Sequence, residues 1–307
     1  MDFFRSIGIT EIVFQFMLVN SILGLSIYLT LYTGMFSLAN AGFMAIGAYT
    51  GVILTQNFDL PLGVALIGGM ILGGLIAIPI GYPVLRLKDI YLAIATIGFG
   101  EVVRILILNF DTLAETLTGQ EVKLTRGALG ITGIPKITET WQLIAFLIVA
   151  GYFMIRLHRS RFGRAMAAIR QDEQAAANMG INVVYVKNAV FIMSAILAAA
   201  AGVLKAHLTR TISPGDFGFD QAVSILAFAV LGGTSTWIGP IVGGFVLTAL
   251  PEILRDFKQY RGIVNGSILL LVIVYLPGGL INPAGWSRVW RRLRQPPAET
   301  GGTHART

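Results

Sequence analysis

No cysteine occurs in the 307 residues, which excludes disulfides and thiol chemistry. Charge is almost as scarce. Asp, Glu, Lys and Arg make up 13% of the chain, against about 25% in soluble domains. A surface facing water could not be covered with so few charges, and the mean hydropathy of +0.73 agrees. Whole stretches carry none at all: residues 12–58, 60–85, 221–251 and 262–287. A helix needs about 20 apolar residues to cross a bilayer. Each stretch therefore holds at least one span, and the first is long enough for two.

Catalytic signatures are missing as well. The three histidines, at 158, 207 and 304, share no metal-ligand spacing, and no His-Glu-x-x-His helix is present. No Gly-Lys-Ser/Thr phosphate loop exists, so ATP is not held on this chain in that manner, and Gly232–Gly244 lacks the lysine. No serine stands in a Gly-x-Ser-x-Gly elbow, which leaves a membrane hydrolase without support.

What the chain does have is apolar length. Spans are predicted at Ile12–Tyr32, Gly34–Thr55, Leu60–Leu85, Ile90–Phe110, Thr140–Leu157, Val186–His207, Ala222–Thr236, Ile238–Leu254 and Ile263–Pro277. The expectation is an all-α integral membrane protein, a polytopic bundle of about 8 to 10 membrane segments. The permease domain is placed at 1–285. A basic, Pro- and Gly-rich tail follows at 286–307 and reads as disordered. The first hydrophobic run is too long and too weakly flanked for a cleaved signal peptide.

The net charge of +7 points to membrane topology rather than to nucleic acid. Arg156, Arg159, Arg161, Arg164 and Arg170 form one basic cluster, and Arg288, Arg291, Arg292 and Arg294 another, as cytoplasmic flanks do. The Thr- and Gly-rich segment 111–139 then reads as an external loop. Five spans precede the first cluster, which puts the start of the first span outside unless one of the two N-terminal segments is re-entrant.

The 36 glycines favour close helix packing, with small-xxx-small pairs at Gly47/Gly51, Gly69/Gly73 and Gly239/Gly243. Two stretches interrupt apolar sequence with small and hydroxyl residues, Ser37–Gly47 and Leu231–Gly244. Irregular backbone at membrane depth is tolerated only inside protein or beside water. Paired interruptions therefore suggest a pathway built from two pseudo-symmetric halves. Candidate path residues are Ser37, Asn40, Thr96, Glu101, Arg104, Gly232 and Gly233. Glu101 and Arg104 lie three apart on one helix face, and intramembrane charge calls for a partner or water.

Segment 161–180 is rich in helix formers yet too polar to span. Phe162, Met166, Ile169, Ala176 and Met179 recur on one face, and Gly180 suits a left-handed helix end. Asp172 and Glu173 would face anionic lipid poorly, so docking of a cytoplasmic protein is expected rather than a helix lying on headgroups. The docking residues expected are Arg164, Ile169, Arg170, Asp172, Glu173, Ala176 and Gly180.

Gly163–Asn182 resembles the coupling segment of branched-chain amino acid ABC permeases. Ser37–Thr50 is similar to that family's second membrane segment, with Ala39-Asn40 where the family commonly has Gly-His. Arg86–Arg104 resembles the LivM branch more than its LivH sister, and Leu231-Gly-Gly, Gly239-Pro240 and Leu250-Pro-Glu252 complete the pattern over roughly residues 12–280. The resemblance implies a prokaryotic inner-membrane importer. Its parts would be this chain, a LivH-like sister permease, two LivG/LivF-like cytoplasmic ATPases that bind ATP-Mg, and an extracytoplasmic amino-acid binding protein. This chain would bind no cofactor or metal, would not be an enzyme, and would touch lipid but no nucleic acid. Alternatives are a related permease for urea or amides, and an ion-coupled transporter using Glu101.

Overall fold

The computed structural model describes residues 10–119, 124–253 and 279–281. The span expected at 263–277 and the tail fall outside the described residues. Helices dominate: α1 (Glu11–Tyr32), α2 (Asn40–Asn57), α3 (Leu62–Val84), α4 (Asp89–Thr118), α5 (Thr140–Arg159), α6 (Arg161–Gln171), α7 (Glu173–Asn178), α8 (Val183–Thr209), α9 (Phe219–Gly232) and α10 (Ile238–Ile253). Five of them (α1, α3, α4, α5 and α8) are long and apolar enough to cross a membrane.

Side-chain contacts fix the directions. Gln15 Nε2 donates to Thr140 Oγ1 at 2.8 Å and Thr140 Oγ1 to Glu11 at 3.0 Å, joining the first turns of α1 and α5. Tyr28 meets His158 at 2.8 Å near their other ends, so the two helices run parallel. The shared far end carries Arg156, Arg159, Arg161 and Arg164, and is the cytoplasmic side by the positive-inside rule. The first turn of α1 is therefore external, as the count of five spans requires. Neither N-terminal segment returns to its own side.

The core is α8, packed closely by small residues of its neighbours. Ala198 to Ala201 are fully buried. Gly47 and Gly51 of α2 face Ala199 and Val203, and Gly69 and Gly73 of α3 face the same two residues, Gly69 lying against Gly47 as well. Two of the expected glycine pairs thus grip one helix, and the third, Gly239/Gly243, packs on α9 against Gly233 and Phe228. Such approaches favour dispersion between backbones, which lipid does not otherwise drive together.

The halves are inverted copies in arrangement. α3 packs antiparallel on α8, with Gly81 facing Asn188 and Gly69 facing Val203. Likewise α10 packs antiparallel on α1: Asn20 Nδ2 donates to Thr248 Oγ1 at 2.8 Å, and Ser21 Oγ to the Ile241 carbonyl at 3.0 Å. α2 packs on α3 as α9 packs on α10. α1 and α8 thus correspond, each followed by a break and a short helix. α2 has 18 residues and α9 has 14, so an irregular lead completes each crossing. These leads are 33–39, rising from the inner side, and 210–218, descending from the outer side. The Gly-rich segment 231–244, expected as the partner of 37–47, instead holds the inner turn between α9 and α10, at 233–237. Its counterpart is the outer turn at 58–61.

The external segment also differs from a plain loop. α4 continues to Thr118, and the Asp111 carboxylate accepts from the backbone N–H groups of Leu124, Thr125 and Arg126 at 2.7–2.9 Å. Ile131–Thr132 (β1) then pairs antiparallel with Thr211–Ile212 (β2), tying that segment to the second break.

Candidate coupling surface and intramembrane path

Backbone N–H groups within the first break find partners in the protein, as membrane depth favours. Gly34 takes φ +84° and lies against Arg170 Cα. Met35 N–H donates to Thr30 O at 2.9 Å, Ser37 N–H to Met35 O at 3.1 Å, and Leu38 N–H to Thr96 Oγ1 at 2.9 Å. Thr96 is itself anchored on the Leu92 and Ala93 carbonyls. Asn40 then opens α2, fully buried, with Nδ2 donating to Ser26 Oγ at 2.8 Å and Ser194 Oγ at 3.0 Å. One side chain thus joins α1, α2 and α8 at the break.

Ser37, Asn40 and Thr96 are brought together here. Glu101 and Arg104 pair at 2.7 Å one to two turns further along α4, about a third exposed. Glu101 lines a small void together with Leu38 from the first break and Phe217 and Gly218 from the second. The ring of Phe217 also lies 6.0 Å from that of Tyr49. The two breaks therefore meet in this region. Gly232 and Gly233 do not join them. They sit at the inner end of α9, where Gly233 has φ +99° and Leu280 and Ile281 N–H groups bond the carbonyls of Leu231 and Gly232.

On the inner surface the expected single helix over 161–180 is two helices. Asp172 leaves helical geometry (φ −157°, ψ 115°), and its Oδ1 accepts from Gln174 N at 2.8 Å and Ala175 N at 2.9 Å. An aspartate offers these orphan N–H groups what a continuing helix would otherwise give, so it stops α6 and caps α7. Ser160 caps α6 in the same way through Gly163 N. Gly163 is pressed against the Leu157 carbonyl, a place with no room for a side chain. Gly180 ends the unit at φ +83°.

Met166, Ile169 and Ala176 are buried under this pair of helices, and Phe162 is half-buried. Met179 leaves the expected apolar face and is 84% exposed, because the kink at Asp172 turns α7 away from the α6 stripe. Arg164, Gln171, Asp172 and Gln174 face outward beside Ala175, Ala177 and Asn178. Glu173 anchors α7 to α8 through Lys187 at 2.6 Å. Arg170 reaches the inner turn, donating to Thr234 O at 3.3 Å and Thr234 Oγ1 at 3.4 Å, and lies 5.9 Å from the Tyr32 ring. Tyr32 stands 4.6 Å from His158. His158 Nδ1 contacts the Met154 carbonyl at 2.8 Å. A carbonyl only accepts, so Nδ1 carries the hydrogen and Nε2 receives the Tyr28 hydroxyl. The end of α6 is thus in contact with the inner ends of α1, α5 and α9.

The sequence profile of the family described as "Branched-chain amino acid transport system / permease component" matches residues 8–276. The chain belongs to this family. Among the relatives is the high-affinity branched-chain amino acid transport system permease protein LivM of Salmonella typhimurium, 33% identical over 84% of this chain and 66% of that protein. LivM of Escherichia coli matches to the same extent. The permease protein BraD of Pseudomonas aeruginosa is 32% identical over 45% of each chain. The chain thus spans about 66% of the length of the LivM proteins it matches. Membership of a permease family agrees with the five membrane-length helices, and the protein is an integral membrane protein.

One polar cluster in the family member described here was not anticipated from its sequence. Lys205, Asp216, Asp220 and Gln221 line an outer cleft. Lys205 carried the available signal, a cation near the end of the otherwise apolar run from Asn188 to Thr209.

Proposed function

We propose that this chain is a transmembrane permease subunit of an ATP-driven importer for branched-chain amino acids, working with a sister permease and cytoplasmic ATPases. An extracytoplasmic binding protein delivers the substrate, and the assembly sits in a prokaryotic inner membrane. The chain itself performs no catalysis and binds no cofactor, since ATP-Mg belongs to the ATPase subunits. The family and its LivM relatives support the class. The observation that carries the mechanism is the seating of α6 and α7: their outer face is polar and free for a partner, while Arg170 contacts Gly34, Tyr32 and Thr234.

Those three contacts lie at the base of the first break and at the inner turn between α9 and α10. A displacement of α6 by an ATPase therefore acts on both halves of the fold at once. ATP binding would bias two arrangements of the breaks through differential contacts, which is what alternating access requires. Arg164, Asp172, Ala176 and Gly180 shape the docking unit, and Ile169 and Glu173 hold it to the bundle. The reading in which Glu101 couples transport to an ion gradient has less support, because its carboxylate is engaged by Arg104.

The test is purification by a tag on this chain, followed by assay of ATP hydrolysis. Co-purifying ATPases whose hydrolysis is stimulated several-fold by loaded binding protein are expected, and Glu173→Arg should abolish the stimulation by repelling Lys187. Transport by this chain without any ATPase would overturn the proposal.

A further inference from the structure

A cleft of about 450 Å3 opens on the outer side between the ends of α1, α8 and α9 and the second break. Its size falls within the usual range for small-molecule sites, about 300–1,000 Å3. Phe16, Ile212 and Phe217 give it apolar walls, and Phe217 forms the floor toward the small void beside Glu101 and Leu38. Charges of both signs face it. Lys205 comes from α8 and is largely buried, with Nζ 3.4 Å from Gln221 Oε1. Asp216 comes from the break, where Oδ2 accepts from Ser213 N at 2.8 Å and fixes the carboxylate. Asp220 stands in the first turn of α9. Among the described residues, Lys205 forms no ion pair with either carboxylate.

Lys205 and the two carboxylates face one cleft without pairing directly, so a ligand carrying both charges can make charge-assisted hydrogen bonds to each side of it. A simple anion would be repelled by Asp216 and Asp220, and a simple cation by Lys205. A neutral amide would bring no charge of its own to either side. The composition suits a molecule with a carboxylate, an ammonium and an aliphatic body.

We infer that this cleft binds a zwitterionic aliphatic amino acid on the outer side of the membrane, with Lys205 taking the carboxylate, Asp216 and Asp220 the ammonium, and Phe16, Ile212 and Phe217 the side chain. This rests on the permease reading and adds a substrate site within this chain. Selection is then not left entirely to an external binding protein. Phe217 separates the bound molecule from the first break, so movement of segment 210–218 opens the way inward.

The experiment measures binding of tritiated L-leucine to the detergent-purified transporter, tagged on this chain and free of binding protein. Saturable binding is expected, with L-leucinamide and 4-methylpentanoate competing at least about tenfold more weakly, since each gives up one of the two charge-assisted contacts. Lys205→Met should erase the preference over leucinamide and keep that over 4-methylpentanoate. The pair Asp216→Asn and Asp220→Asn should do the reverse, and Lys205→Arg should bind like wild type. A structural role would weaken all three ligands alike. That outcome, unchanged preferences, or no saturable binding up to ~10 mM overturns the inference. ATP-driven leucine uptake by the complete system separates the two claims. Intact uptake with unmoved preferences removes the site and leaves the permease reading, whereas absent uptake by wild type removes the substrate of that reading.

Discussion

Replacing Asn40 tests the junction at the first break. In wild type the amide donates to Ser26 Oγ at 2.8 Å and Ser194 Oγ at 3.0 Å, across three helices. Both hydroxyl hydrogens are already committed elsewhere, Ser26 Oγ to Leu23 O and Ser194 Oγ to Ser26 O, each at 2.7 Å. Asn40→Ala removes two interhelical bonds and strands no donor. At about 0.6 kcal/mol per bond on average, and about 1.7 at most, the loss is ~1–3 kcal/mol. Asn40→Asp keeps the shape but offers only acceptors to two oxygens with no hydrogen to give. A carboxylate at membrane depth costs about 2.5–3.5 kcal/mol, of which the N-terminus of α2 returns only about 0.3–1, and the rest adds to the lost bonds. Unfolding of the purified protein by SDS titration should therefore rank wild type above Asn40→Ala and Asn40→Ala above Asn40→Asp. A double-mutant cycle of Asn40→Ala with Ser194→Ala should return a coupling of about 0.5–1.7 kcal/mol. An aspartate variant as stable as the alanine variant, or zero coupling, would refute this account of the junction.

Three other changes probe the coupling unit and the path. Asp172→Ala removes the cap of α7 at a cost of about 1 kcal/mol; amide exchange across 173–178 should accelerate while the membrane helices stay protected. Gly163→Val has no room against the Leu157 carbonyl and should release α6 from α5, seen as loss of ATPase co-purification with the chain still in the membrane. Glu101→Gln breaks the pair with Arg104, yet uptake should stay ATP-driven and indifferent to a protonophore.

Much of this was legible in the sequence because charge-free length maps directly onto spans. Ile12–Tyr32 and Thr140–Leu157 lie within a few residues of α1 and α5. Glycine spacing foretold the packing on α8, since close approach needs small residues wherever it occurs. The break at 37–39 showed itself through Ser37 and Asn40, polar groups in apolar surroundings. Its symmetry partner at 210–218 did not, because Pro214 and Asp216 look like an ordinary external turn. Composition also pointed to 231–244 instead, where glycines serve a tight inner turn. The break between α6 and α7 was hidden for a related reason: Asp172 sits amid helix formers, and only its side chain's bonds to two N–H groups reveal a cap. Lys205, Asp216 and Asp220 come from different elements, so their meeting in one cleft depends on the tertiary fold.

The most direct test of the central claim is uptake into proteoliposomes containing the complex purified through this chain, with the binding protein outside and ATP within. ATP-dependent accumulation of leucine, isoleucine and valine, absent with a non-hydrolysable analogue and not shared by urea, is the result expected. Accumulation of urea alone, or of leucine driven by an ion gradient without ATP, would contradict it.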